Sequence, residues 1–201
     1  MKNVNTNMER FIKSQLHTKL PIPTHDFSNQ VVIVTGASSG LGLEAARYFV
    51  KLNAAKVIIT ARSEANANKA KEDIETSTGR TGIIEVYELD LTSYDSVKAF
   101  AASVEKEERI DILLSNAGML VTDFELAGGF ESTITVNVVS TFLLAILLLP
   151  VLRKTAEKHS ILPVVTVVSS GTHSWVQLPE WKEDDIFAAL NRKEGINMEE
   201  R

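Results

Sequence analysis

Glycines at positions 36, 40 and 42 fall within Thr35-Gly-Ala-Ser-Ser-Gly-Leu-Gly42, directly after the apolar run Val31-Val-Ile-Val34. A strand that runs into a glycine-rich turn and then a helix sets bare backbone N–H groups and a helix N-terminus against an anion, a pyrophosphate above all. Gly36, Ser38, Ser39, Gly40, Leu41 and Gly42 are therefore candidate binding positions. Further chemistry-bearing residues follow in order: Arg62, Asp90-Leu91, Asn116-Ala117-Gly118, Asn137 and Ser169-Ser170.

These residues need elements to hold them. Hydrophobic patterning predicts strands at Val31–Thr35, Lys56–Thr60, Ile83–Leu89, Ile110–Ser115 and Leu162–Val168. Helices are predicted at Leu41–Leu52, Glu64–Ser77 with a stop at Gly79, Ser93–Lys106 and Glu131–Lys154. Five strands alternating with helices, of which Val31–Val34 and Val164–Val168 are near-continuously apolar, read as an α/β fold, a doubly wound parallel sheet of Rossmann-like type with helices on both faces. Residues 1–28 read as a leader, with Met8, Phe11, Ile12 and Leu16 at near-helical spacing before Pro21 and Pro23. Residues 29–201 read as the dinucleotide-binding domain. Ile186, Phe187 and Leu190 suggest a short amphipathic helix in the charged tail, before a polar, frayed end.

The spacing Thr-Gly-x-x-x-Gly-x-Gly resembles the short-chain dehydrogenase/reductase family rather than the G-x-G-x-x-G of other dinucleotide folds. Further matches follow in the family's order from about Gln30 to Gly171. Asp90-Leu91 resembles its adenine-contacting pair, and Asn116-Ala117-Gly118 its Asn-Ala-Gly element. Asn137 in Thr135-Val-Asn-Val138 resembles the active-site asparagine. Ser170, with Ser169 as the alternative, resembles the catalytic serine. The resemblance implies hydride transfer between a nicotinamide and a carbonyl or secondary alcohol carbon, in which the serine polarises the carbonyl, a tyrosine passes the proton and a lysine lowers that tyrosine's pKa. The leader and the long segment after the serine are similar to fungal members that tailor secondary metabolites, which implies a small lipophilic substrate.

The second strand ends Thr60-Ala61-Arg62-Ser63, with a guanidinium and no carboxylate, which favours NADP(H) over NAD(H). Arg62 as a solvated residue at a helix start is the competing reading. Asn137 read structurally is an amide that must find partners in an apolar helix, and either serine can satisfy backbone at a strand end.

The chain has three tyrosines. Only Tyr94-Asp-Ser-Val-Lys98 matches the family's Tyr-x-x-x-Lys, but it precedes the Asn-Ala-Gly element, so a solvated i,i+4 pair is the better reading. No tyrosine follows Ser170. The expectation is a sheet incomplete on its C-terminal side, truncated before the tyrosine–lysine helix and last strands. Either the chain is an oxidoreductase or it is a remnant that binds cofactor or a partner without turnover.

Composition narrows the rest. With 44% hydrophobic and 23% charged residues over 201 positions, the chain has the balance of a soluble globular domain. Absence of cysteine excludes disulfides, thiolate metal sites and a cysteine nucleophile, and is compatible with a cytoplasmic location. A net charge of −5 argues against a nucleic-acid partner. The apolar run Val138–Leu152 is shorter than the ~20 residues that span a bilayer, so a buried helix is expected there. The helix at 131–154 also resembles the family's dimer-forming helix, so a homo-oligomer is the alternative to simple core packing. His159 and His173 lack a third ligand at metal spacing, and Trp175 and Trp181 either line an apolar pocket or cap the sheet.

Overall fold

The structure, a computed structural model, describes residues 2–174 and 177–193. Five parallel strands form the central sheet: β1 (Val31–Val34), β2 (Lys56–Ala61), β3 (Ile84–Glu88), β4 (Ile112–Ser115) and, last in sequence, β7 (Val164–Val167). Their order is β3-β2-β1-β4-β7. The chain winds outward from β1 to β3, then returns to place β4 on the other side of β1. That reversal opens a crevice at the carboxyl ends of β1 and β4, where a doubly wound sheet binds ligands.

Helices α2 (Gly40–Lys51) and α3 (Glu64–Thr78) cover one face, and α4 (Tyr94–Val104) with α6 (Thr141–His159) the other. Strand residues alternate between the two cores as a pleat requires. Val32, Val34, Val57 and Ile59 pack toward α2 and α3, whereas Ile33, Ile58 and Leu113 pack toward α4 and α6. Each of these large side chains contributes about 1.5–3 kcal/mol relative to exposure. Polar ties add register: the buried Asp111 carboxylate accepts from Val31 N–H at 2.8 Å and from the Arg109 fork.

Sequence expectation and structure agree on all five sheet strands, and Gly79 caps α3 in the left-handed conformation. The leader forms α1 (Lys2–His17), and α7 (Ile186–Leu190) stands where the tail pattern suggests a short helix. The polar end beyond Lys193 lies outside the described residues, as does Trp175; Trp181 is exposed beside Lys182. A two-stranded hairpin, β5 (Leu126–Ala127) and β6 (Phe130–Glu131), escapes the sequence reading, although Gly128-Gly129 at its tip is a recognised two-residue turn signal. Asn191, at the end of α7, holds this hairpin by accepting from Glu131 N–H at 2.8 Å and donating to the Gly129 carbonyl at 2.9 Å.

The long helix also differs from expectation. It runs Ser132–His159 over 28 residues, long and apolar enough to cross a membrane by length and composition. One side of it nevertheless belongs to the core, through Leu144, Leu148, Val151 and Leu152 against α4 and the sheet. Its first part is α5 (Ser132–Ile134), followed by a π-helical stretch at Thr135–Ser140. There Thr141 Oγ1 donates to the Val136 carbonyl at 2.8 Å, five residues back.

Candidate functional site

The glycine-rich turn is held by its neighbours rather than by itself. Thr35 Oγ1 accepts from the backbone N–H groups of Asn116 and Ala117 at 3.1 and 3.0 Å, which locks the end of β1 to the end of β4. The Asn116 amide donates to the carbonyls of Thr35 and Gly36 at 3.0 and 3.3 Å. Gly36 takes φ +65°, and a Cβ there would meet Ala117 at 2.9 Å. A Cβ on Gly42 would fall 2.5 Å from both Asn116 Nδ2 and the Gly36 carbonyl oxygen. Packing therefore excludes a side chain at 42, and both packing and backbone exclude one at 36.

Beyond this turn, Ser39 is the N-cap residue of α2 in extended conformation, and its side chain makes no capping hydrogen bond. First-turn N–H groups of a helix have no acceptor within the helix. At α2, which begins at Gly40-Leu41-Gly42, they are left to a ligand or solvent, with the positive end of the helix dipole behind them.

A cleft of about 280 Å³ opens at this turn, lined by Gly36, Ser38, Ser39, Arg62, Asp90, Leu91, Asn116, Ala117 and Gly118. The structure thus brings Gly36, Ser38 and Ser39 of the turn, Arg62 after β2 and the predicted residues after β3 and β4 around one space, while Gly40, Leu41 and Gly42 at the start of α2 are not among its lining. It adds Ala61, Leu89, Thr92, Met119 and Val136, which carry no motif of their own. Arg62 is exposed at the rim, immediately before Ser63, whose hydroxyl caps α3 by accepting from Asn66 N–H at 3.3 Å. Asp90 Oδ1 accepts from both the backbone and the hydroxyl of Thr92, at 2.9 and 2.7 Å.

Asn116 through Met119 also wall a second cavity, about 680 Å³, on the β4–β7 side. Its other walls include Asn137, Val138, Thr141, Phe142, Val167 and the pair Ser169-Ser170. Candidate serine and candidate asparagine therefore share one space, contiguous with the first across a single loop. The Asn137 amide is committed to backbone: Oδ1 accepts from Met119 N–H at 2.9 Å and Nδ2 donates to the Met119 carbonyl at 2.8 Å. This double bond to the loop makes Asn137 a clamp between the π-helical turn and the cavity wall. Ser115 Oγ, buried at the end of β4 and bordering the same cavity, has no hydrogen-bond partner among the described residues.

Tyr94 and Lys98 stand apart from both cavities' polar groups. The Tyr94 ring packs on Gly128 of the hairpin, while Lys98 pairs with Asp95 at 3.5 Å. Tyr87 on β3 stacks edge-on against Phe100 in the core, where burial and the carboxylate of Glu85 push its phenol upward. Among the described residues no three His, Cys, Asp or Glu side chains converge as a metal site would require.

Comparison with known proteins agrees with this geometry. Residues 30–177 match the short chain dehydrogenase family. The chain is 46% identical over 191 residues to the short-chain dehydrogenase anuD of Penicillium roqueforti, covering 95% of this chain and 50% of that protein. It is 42% identical over 196 residues to the short chain dehydrogenase atnD of Emericella nidulans, covering 96% of this chain and 62% of the other. The chain thus spans between half and two thirds of the length of these relatives. Among solved structures, a protein described as a short chain dehydrogenase from Escherichia coli CFT073, complexed with NADPH, superposes with a TM-score of 0.56 at 29% identity, covering 66% of this chain and 57% of its own. The sheet order, the glycine turn pinned by Asn116 and the family match over most of the chain lead to one assignment: the protein belongs to the short-chain dehydrogenase family.

Proposed function

We propose that this chain carries the nucleotide site of an NADP(H)-dependent oxidoreductase that moves a hydride to or from a carbonyl or secondary alcohol carbon of a small lipophilic molecule, in the secondary metabolism of a fungus. One observation carries the reading. The uncapped N-terminus of α2 opens beside a cleft that Arg62 borders, so backbone donors stand ready for a pyrophosphate and a guanidinium for a 2′-phosphate. The residues fit the group on two further counts. Gly40, where a Cβ would meet nothing within 4 Å, leaves room for a pyrophosphate to approach the turn, and the cleft continues past Gly118 toward Ser170, where a nicotinamide would lie.

In this reading Gly36, Ser38, Ser39, Gly40, Leu41 and Gly42 hold the phosphates and Arg62 selects NADP(H). Asp90 and Leu91 flank the adenine. Asn116, Ala117 and Gly118 support the ribose and nicotinamide side. Bound nicotinamide supplies the hydride chemistry. Ser170 orients the substrate oxygen with its hydroxyl, and Asn137 keeps the cavity wall in register with it. Apolar side chains of Met119, Val138, Phe142 and Val168 suit a lipophilic substrate.

A second reading is favoured by one fact of the sequence: its tyrosines are Tyr48, Tyr87 and Tyr94, none of which lines the cavity beside Ser170. Within these 201 residues the family's catalytic set is represented by Ser170 and Asn137, and the chain on this reading binds cofactor without turnover. Calorimetry with NADPH and NADH, followed by a substrate-dependent NADPH oxidation assay, tests both. Tighter binding of NADPH is expected. Binding without oxidation selects the second reading, and no binding of either nucleotide rejects both.

A further inference from the structure

The leader carries a surface of its own. Helix α1 runs Lys2–His17, ahead of the family match that begins at residue 30. At 100° per residue, Phe11, Ile12 and Leu16 fall on one side of it and Arg10, Lys13 and His17 on the opposite side. The three apolar side chains are exposed, Leu16 to 72%, and the stripe continues past the helix through Leu20 and Ile22, which are exposed as well. A helix that packed its whole apolar stripe on the domain would bury these residues, whereas Leu16, Leu20 and Ile22 stand largely in solvent.

Charge gives the second observation. Over residues 1–20 there are four basic side chains, Lys2, Arg10, Lys13 and Lys19, against the single acid Glu9, while the chain as a whole carries −5. The segment with the exposed apolar stripe is thus basic, ahead of a remainder of the chain that is acidic. An amphipathic helix with cationic residues on its polar face and Phe, Ile and Leu on the other lies in a lipid interface, with its apolar side chains below the headgroups and its charges among them. A protein partner would have to supply both a groove and an acidic rim, whereas an anionic bilayer supplies both without a dedicated surface.

We propose that α1, with Leu20 and Ile22, binds peripherally to anionic membrane surfaces and brings the nucleotide-binding domain to lipid. The inference stands independently of the nucleotide site. A lipophilic substrate held in a bilayer would, however, be met by the domain at that surface.

Co-sedimentation of the full chain with vesicles tests it. Phosphatidylcholine vesicles containing about one third phosphatidylserine are expected to pellet the protein at least tenfold better than pure phosphatidylcholine, because each basic residue near an anionic surface adds about fivefold. Ionic strength near 0.5 M should abolish the difference, since the Debye length then falls to about 4 Å. The double variant Phe11→Ser with Leu16→Ser should lose pelleting, as should Arg10→Glu with Lys13→Glu, each checked for an unchanged melting temperature of the domain. Ile146→Ser, on the exposed side of α6, should pellet like the parent. Three results overturn the proposal: equal pelleting with neutral vesicles, loss of pelleting only in the α6 variant, or no vesicle binding together with a dimer that the α1 variants dissociate. The last would make a second copy of the chain the occupant of the α1 face.

Discussion

The two flanks of the sheet are built to different standards. On the β1-β2-β3 flank, Ile58 is fully buried, and Arg47 ties α2 to α3 through Asp73 at 2.7 Å with a further bond to Ser77. Lys56 bridges Glu85 and Glu107, whose carboxylates outweigh its burial and raise its ammonium above the ordinary lysine value. On the β4–β7 flank, Val164 is 49% exposed and Val165 40%, and Phe142 and Ile146 of α6 are exposed as well. The first flank is closed and the second open. The cleft at the glycine turn lies where the flanks meet, lined by Gly36, Arg62 and Asp90 on one side and by Asn116 to Met119 after β4 on the other. Packing thus loosens toward the β7 edge, and Ser170 stands on the looser side.

A matched pair of truncations separates the two flanks most widely. Ile58→Ala should cost about 3 kcal/mol, the usual range for deleting a fully packed aliphatic side chain. Val165→Ala should cost no more than about 0.5 kcal/mol, as at other open positions. Urea midpoints of the two variants give the answer. Equal losses would mean that β7 is covered in solution.

Within the closed flank, Gly42→Ala probes whether the turn is as crowded as its distances say. The added methyl meets Asn116 Nδ2 and the Gly36 carbonyl, so overpacking should cost about 2 kcal/mol and weaken NADPH binding more than tenfold. Arg62→Ala sharpens the cofactor assignment with a smaller effect. NADPH affinity should fall about tenfold, or about 1.4 kcal/mol, with NADH unchanged, since only the 2′-phosphate contact is lost. Equal losses for both nucleotides would leave Arg62 as a solvated helix-start residue.

How much of this was legible in the sequence divides along the same line. Val32–Val34 and Val57–Ile59 are buried on both faces, so their continuous apolar runs announce strands, and the glycine spacing between them announces the turn. The crowding that makes Gly42 obligatory depends on Asn116, which is 74 positions away in sequence and adjacent only in the fold. Asn137 shows the reverse case. Its motif is readable, but its commitment to the Met119 backbone depends on a π-helical turn that no periodicity of 3.6 can signal. The hairpin at 126–131 was too short for alternation to register, and with it went the role of Glu131, which reads as a first helical residue and is instead the cap of the long helix.

That cap gives a modest effect with a distinctive pH dependence. Glu131 is buried, which pushes its carboxyl upward. Bonds from the Thr133 hydroxyl, from Thr133 N–H at 2.9 Å, from Ile134 N–H at 3.1 Å and from the Ser132 hydroxyl at 3.3 Å outweigh burial and hold it below the ordinary glutamate value. A carboxylate with a lowered folded-state pKa contributes stability that is complete above its unfolded value and lost as pH falls through the folded one. Glu131→Gln keeps an acceptor at the helix N-terminus but removes the charge, so it should cost about 1 kcal/mol at neutral pH. The difference between parent and variant should shrink from about pH 5 downward, which is the check that separates a charged cap from a merely space-filling side chain. The cap begins the helix that carries Asn137, so its loss should reach the wall shared by the two cavities while leaving the Arg47 and Lys56 networks of the closed flank intact. Denaturation curves of Glu131→Gln between pH 3 and about 7 that run parallel to the parent would show that the open flank lacks this electrostatic support.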